Sequence, residues 1–358
     1  MMFGNPETYM TLCIMSMLLD FSRRLQHDCY LLDNRAGCPT KTPSKVIQSV
    51  LEKKIMKRMM SITAFLALIL VMAAPCFGQL GMFSKEQRIE LTRYWAGDRF
   101  DDGRPKVPDA MLDQMKTVDA EEAWTVLKRN GYNNQFASGW RVINDGNDRM
   151  VGRVFTAVFM PKRPDVDAFI QEQGKKEGGV GNENSWPIDM LQPGDVLVVD
   201  LFGKIAYGTY AGDNLGTAIF AHTHKGLIVD GAVRDQTGLE QIKGFRVFVR
   251  GVDPTALNDV TLMGINVPIR IGQTMVMPGD IVLSDVEGLT FIPPQFCKRI
   301  VEVSTLIHFE DEWGHMMLRE GKFRPGEIDG KWPDAIANEF NKWLESKGTT
   351  VRYTNDVK

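Results

Sequence analysis

From about residue 150 the chain alternates short apolar runs with turn residues: VGRVFTAVFM (151–160), DVLVVDL (195–201), GLIVDGAV (226–233), FRVFVRGV (245–252), IVLSD (281–285) and LTFIP (289–293). Runs of this length, rich in β-branched residues and bounded by Gly, Pro and Asp, predict strands. The near-continuous apolar DVLVVDL predicts a sheet covered on both faces. One strong helix interrupts the strands, over 214–225, and Gly226 stops it.

Helical periodicity lies at the two flanks. Asp119 and Glu122 have capping-box spacing ahead of EEAWTVLKRNG, whose Ala123, Trp124 and Leu127 share a face. In the tail, Trp332 and Pro333 open a helix with a stripe of Ile336, Phe340, Trp343 and Leu344, closed by Gly348; the stripe is expected to pack on the body or on a neighbouring subunit. Two segments, QPGDVLVVD (192–200) and MPGDIVLSD (277–285), echo each other. A turn feeding a buried strand explains both without invoking an active site. The Gly-rich EQGKKEGGVGNENSWP (172–187) lacks a Walker ending and reads as a mobile loop.

Composition narrows the partners. With 358 residues, 44% hydrophobic and a net charge of -3, the chain suits one large globular domain with appendages and has no basic excess for a phosphate backbone. Nucleic acid is therefore not expected. Residues 56–78 have the order of a secretory signal: Lys57 and Arg58, an apolar run from Ile62 to Ala74, then small residues ending at Gly78. Pro75 before Cys76 argues against a lipoprotein site. A secreted or periplasmic protein with no stable membrane insertion after cleavage is expected, with Met56 as its start and residues 1–55 an upstream extension. Cys297 alone of five cysteines remains after such processing, so no disulfide is expected. The expected organisation is an extension (1–55), a signal (56–78), a helical preamble (79–116), an α/β domain (117–321) and a C-terminal extension (322–358).

The chemistry concentrates in GDNLGTAIFAHTHKGLIVDGAVRD, residues 212–235. A twelve-residue helix rises about 18 Å and the following strand spans about 20 Å, so the chain returns to its starting level. Asp213 and the pair Arg234–Asp235 then share a rim. Helix N–H groups and Arg234 attract an anion. Asp213 and Asp235 offer hard oxygen ligands to a divalent cation, and Gly212 lets a ligand approach the backbone. A cation site beside an anion site suits a metal-bound keto acid. The alternative is that Asp213 only caps the helix while Arg234 pairs with Asp235 or Asp230 on the surface.

The order P-G-D-V-L-V-V-D, then G-D-N-L with a twenty-residue gap to V-D-G-A-V-R-D, then F-x-V-F-x-R-G, N-V-P-I-R-I-G and P-G-D-I-V-x-x-D-x-E-G-x-x-x-I-P resembles the RraA-like family. That family includes class II 4-hydroxy-4-methyl-2-oxoglutarate aldolases and the regulator of ribonuclease activity A. The likeness covers about residues 117–321. It implies a layered α/β/β/α sandwich of the swivelling-domain type, here with added N-terminal helices and a C-terminal helix, assembled as homotrimers or homohexamers with sites between subunits. It implies that Arg234 holds the keto-acid end of the substrate, Asp235 anchors Mg2+ or Mn2+ largely through water, and Asp213 positions a water. It also implies that the backbone amides at Asn214 and Leu215 face the pyruvate oxygens, with Gly212 beside them in the substrate-binding set, and that an acid arrives from a neighbouring C-terminal helix, best matched by Glu312 and then Glu310.

The expected function is therefore a metal-dependent lyase that cleaves a 4-hydroxy-2-oxo acid to pyruvate by retro-aldol chemistry, with oxaloacetate decarboxylation open to the same site. The alternative is a non-catalytic binding or regulatory member of the family. Three departures bear on the substrate: the export signal with its added preamble and tail, Ser284 where a Gly commonly precedes the Asp, and bulky Tyr207 and Tyr210. Two histidine pairs compete for a metal less well. His222 and His224 lie about 200° apart on a helix, whereas His308 and His315, seven apart, could share a face.

Overall fold

The computed structural model describes residues 83–354 except 145, 147 and 148. The signal-like segment 56–78 and the extension before it lie outside the described residues. Helices α1 (Lys85–Leu91), α2 (Asp109–Met115) and α3 (Ala120–Arg129) precede strands β1 (Phe136–Ala137), β2 (Arg141–Ile143) and β3 (Val151–Pro161). Then come α4 (Pro164–Lys176), β4 (Asp195–Lys204), α5 (Asp213–Thr223), β5 (Leu227–Val233), α6 (Gln236–Glu240) and β6 (Val247–Val252). The chain continues through β7 (Val260–Ile265), β8 (Ile269–Ile271), β9 (Thr274–Val276), β10 (Ile281–Ser284) and β11 (Leu289–Ile292). It ends in α7 (Cys297–Arg319), α8 (Pro325–Ile328) and α9 (Asp334–Ser346).

Nine strands form one sheet in the order β1-β11-β10-β3-β4-β5-β6-β2, with β7 pairing β3 beside that path. Strands β3 to β6 are parallel neighbours, whereas β10 and β7 both run antiparallel to β3. They share one edge of β3, β10 along residues 151–153 and β7 along residues 157–161. The long strand thus joins a parallel half to an antiparallel half, and the sheet curls between them.

Side-chain alternation shows the layers. On β4, Leu197, Val199 and Leu201 face a cluster that includes Ile170 of α4 and Ile219 of α5, while Val196 and Val198 face a second cluster with Val282, Leu289 and Phe291 of the antiparallel half. The outer face of that half is covered by Leu112 and Met115 of α2, Ala123 and Leu127 of α3, and Ile300 and Val303 of α7. Helices, sheet, sheet and helices follow in that order, which is the expected α/β/β/α sandwich with helices added at the termini. Residues before 117 belong to this body, since Val107, Leu112 and Met115 are buried with Ile281 and Ile292. Among the described residues no helix is long and apolar enough to cross a membrane.

The six expected strands are present, and α3 carries its capping box: Asp119 N–H donates to Glu122 Oε2 at 2.8 Å. The C-terminal stripe packs as expected, with Ile336, Phe340 and Leu344 buried beside Trp313 and Trp332. Two expectations fail. A second substantial helix, α4, interrupts the strands. The segment 172–187 is not a free loop, because its first residues complete α4 and Glu183, Asn184 and Trp186 are buried. The Trp186 ring lies so close over Gly174 and Gly179 that neither position has room for a side chain, which accounts for the glycines.

The Pro-Gly-Asp echoes are structural. Asp195 Oδ2 accepts from Gln192 N at 2.9 Å and Asp280 Oδ2 from Met277 N at 2.8 Å, each closing its own turn. Both turns use glycine at positive φ, Gly194 at 85° and Gly279 at 88°. Only Asp195 is paired, with Arg104 through contacts of 3.0 and 3.1 Å in the core. Burial pushes Asp280 up to about 7.

Candidate active site

Two backbone hydrogen bonds make the rim. Tyr210 N–H donates to Ala232 O and Arg234 N–H to Ala211 O, each at 2.9 Å. The segment entering α5 therefore runs beside the end of β5, and the Gly212–Asp213 and Arg234–Asp235 steps become neighbours. The alternation of helix and strand accounts for this: eleven residues of α5 rise about 17 Å, and seven of β5 return about 23 Å.

Each carboxylate lies against a glycine. A methyl group on Gly212 would overlap Oδ2 of Asp235 and lie 3.2 Å from Arg234 Cγ. One on Gly238 would lie 2.6 Å from Asp213 Oδ2. Asp235 adopts φ 55°, the left-handed region, and its carbonyl accepts from Leu239 N at 3.0 Å as α6 begins. Arg234 Nη1 lies 3.3 Å from Asp235 Oδ2, and both side chains are about 40% exposed, so a ligand can compete for them. Asp213 is the first residue of α5 rather than its cap, which is Gly212. The Asn214 N–H, expected to face a substrate, donates to Asp213 Oδ1 at 2.8 Å. Helix geometry leaves the Leu215 N–H without an intrahelical acceptor.

A loop expected only for its bulky residues supports this rim. Tyr210 is fully buried against Phe159; its hydroxyl donates to Asn184 O at 3.0 Å, and Asn184 Nδ2 donates back to Tyr210 O at 2.6 Å. Tyr207, at φ 55°, projects into solvent. Asp253, unremarked in the sequence, follows the rim through its N–H to Val233 O at 3.1 Å. Hydrogen bonds from the Thr255 hydroxyl and amide hold its carboxyl below the usual range, with the Tyr207 amide adding to them. Its position after R-G-V on β6 was the available signal.

The remaining sequence candidates separate from the rim. Glu312 lies on α7, which packs against α2 and α3, and its carboxylate accepts from Lys347 Nζ at 2.6 Å. Glu310 is buried on the same helix. Neither is brought to the rim of its own chain by these contacts. His224 ends α5 in the left-handed region, and His222 Nδ1 lies 3.1 Å from Ile188 O, so the two do not form a metal pair. His315 is exposed, while His308 Nε2 lies 3.1 Å from Glu122 Oε1. With Asp119 these form a cluster whose ligand atoms lie within 4.8 Å of one another. Its groups are already engaged: Glu122 Oε2 accepts from Ser304 Oγ at 2.7 Å, and Asp119 is bonded to Arg149. Burial raises the Glu122 carboxyl above its usual range.

The sequence profile described as RraA-like, Aldolase/RraA, matches residues 106–291, just over half of the chain. The chain belongs to the RraA-like family. A relative from Halalkalibacterium halodurans, provisionally named 4-hydroxy-4-methyl-2-oxoglutarate aldolase, is 32% identical over 120 residues, which are 34% of this chain and 56% of the relative. The chain thus spans about half the length of that protein. An uncharacterized protein from Pseudomonas syringae pv. tomato has the same fold, with a TM-score of 0.52 at 20% identity over 66% of this chain and 99% of its own. Streptomyces coelicolor RraAS2, described as an unusual member of the RNase ES inhibitor RraA family, aligns with a TM-score of 0.49 at 24% identity, over 62% and 98% of the two chains.

The chemistry of the rim's donors suits a divalent cation. Two partly exposed carboxylates offer hard oxygens, each packed directly against the glycine backbone, Asp235 at Gly212 and Asp213 at Gly238.

Proposed function

We propose that this RraA-like protein is a divalent-metal-dependent lyase that cleaves a 4-hydroxy-2-oxo acid of the 4-hydroxy-4-methyl-2-oxoglutarate type, releasing pyruvate by retro-aldol chemistry. The observation that carries this reading is the convergence of Asp213, Arg234 and Asp235 against side-chain-free backbone at Gly212 and Gly238. Asp235 and Asp213 are the residues to hold Mg2+ or Mn2+. Such an ion supplies positive charge at the keto-acid oxygens, where negative charge accumulates as the carbon–carbon bond breaks.

The protein's own groups do the rest. Arg234 exchanges its 3.3 Å contact with Asp235 for a two-point grip on the substrate carboxylate. The Leu215 N–H and the positive end of α5 face the same anion. Asp213, bonded through one oxygen to the Asn214 amide, keeps the other to orient the acceptor of the substrate hydroxyl proton. Rim elements 212–215 and 234–235 contain no lysine, so no Schiff base is invoked. The same charge stabilisation serves loss of CO2 from oxaloacetate. The reading extends to a trimer or hexamer in which Glu312 reaches a neighbouring rim, and to an exported protein processed after Gly78.

The test is pyruvate release from 4-hydroxy-4-methyl-2-oxoglutarate and from oxaloacetate by metal-stripped protein, with and without added Mg2+ or Mn2+, beside Arg234→Ala. Metal-dependent release lost in the variant is expected. A folded protein that neither binds metal nor releases pyruvate would instead be a binding member of the family.

A further inference from the structure

A concave site lies at the opposite ends of the strands from the rim. It is a cavity of about 700 Å³ at the N-terminal ends of β3, β5 and β6, where Val151, Lys225 and Arg246 line it. The rim follows the other end of β5, about 20 Å away along the strand. We propose that this cavity binds a small polyanion carrying two or more carboxylate or phosphate groups.

Among the described residues five cationic side chains line it, Lys116, Arg149, Lys225, Lys243 and Arg246, against one acid, Glu240. They come from four separate stretches of a chain whose net charge is -3, so the concentration is a product of the fold. A run of lysines on one helix would be an ordinary solvated face; convergence around a cavity of ligand size is different. Three of the five are engaged. Lys116 bonds Asp113 at 2.7 Å, Arg149 bonds Asp119 and lies 3.5 Å from Asp285, and Arg246 sits over Phe248 with Nη1 3.4 Å from Ser284 Oγ.

Lys225 and Lys243 are not so held: among the described residues no ion pair within 4 Å is formed by either. Lys225 is half-buried, and burial lowers its pKa, with Lys116 and Arg153 adding repulsion and Asp113 and Asp109 opposing it. An anion placed beside Lys225 relieves that unfavourable charge. The helix dipole opposes an anion, because α5 presents its negative C-terminal end here at His224. Recognition therefore rests on side chains, and a ligand with several charges spread over a few ångströms engages more of them than a single ion does.

The test is calorimetric titration of the intact chain, freed of metal on a chelating resin, with citrate and with pyrophosphate at ionic strength matched by NaCl. Saturable binding of at least one is expected, weakened at least tenfold in Lys225→Gln/Lys243→Gln and unchanged in Arg234→Ala. Citrate alone assigns carboxylates, and pyrophosphate alone assigns phosphates. Should the double variant fail to fold by circular dichroism, the exposed Lys243→Gln decides, with a loss of about threefold expected. The absence of saturable heat with both probes overturns the proposal. So does binding that Arg234→Ala abolishes and the lysine variants leave intact, since it would belong to the rim.

Discussion

Gly212 faces Asp235 with no room for a side chain between them: a methyl group on Gly212 would overlap Asp235 Oδ2. Gly212 has φ −115°, which any residue adopts, so the glycine serves the close approach and not the backbone angle. Gly212→Ala is therefore expected to push the carboxylate aside while the fold persists. Displacement of a metal-holding group by about 1 Å costs roughly a hundredfold in rate. Metal titration and pyruvate release beside circular dichroism check this; unchanged metal affinity in a folded variant would remove Asp235 from the site.

Arg104 is an unforeseen determinant of stability. Its guanidinium bridges Asp102 at 2.7 Å and Asp195 at 3.0 Å, and its side chain is fully buried between the Phe100 and Phe155 rings. Arg104→Met would leave Asp195 charged and unpaired in the core, at a cost of about 3–5 kcal/mol. Adding Asp195→Asn should recover part of that loss. Urea denaturation of the two variants measures it, and a single variant within about 0.5 kcal/mol of the parent would contradict the pairing.

What the sequence made legible follows from what is local. Asp119 and Glu122 are three residues apart, and β5 is an unbroken apolar run ending at Arg234–Asp235, so both could be read from short windows. Arg104 and Asp195 are separated by 91 positions, and nothing near either announces the other. Helix α4 escaped because it carries Gly174 and a polar end, although Pro164 at its first turn was a usable start signal. Strands β8 and β9 are three residues each and are fixed by tertiary contacts: Asp230 accepts from Arg250 Nε at 2.7 Å and from the Gly272 amide at 3.4 Å. For the rim, the pattern located the residues together, but not the diversion of the Asn214 amide to Asp213.

Asp280 gives stability a definite pH dependence. Burial pushes its carboxyl to about 7, against 3.8 for the free group. The folded protein therefore holds this proton more tightly than the unfolded chain. Its favourable contribution is complete below about pH 4 and is lost as pH rises through about 7, a change of roughly 4 kcal/mol at most. Burial moves Asp200 and Glu183 in the same direction. Asp280→Asn retains an acceptor for the Met277 amide and cannot ionise, so its denaturation midpoint should fall less between pH 5 and pH 8 than the parent's. Equal slopes would show that Asp280 ionises normally in the fold.

Glu312 separates a structural role from a catalytic one. Within its own chain it forms a single exposed ion pair with Lys347 at 2.6 Å, and pairs of this kind contribute about 0–1 kcal/mol. Glu312→Ala should therefore leave the denaturation midpoint nearly unchanged. If its carboxylate completes a neighbouring subunit's rim, the same variant loses pyruvate release. Mixing it with Arg234→Ala subunits, denaturing and refolding together, should then restore activity, because some interfaces pair an intact Arg234 with an intact Glu312. Full activity in Glu312→Ala would leave the rim complete within one chain; loss of activity without recovery on mixing would place the effect of Glu312 inside its own subunit, through Lys347 and the packing of α9 on α7.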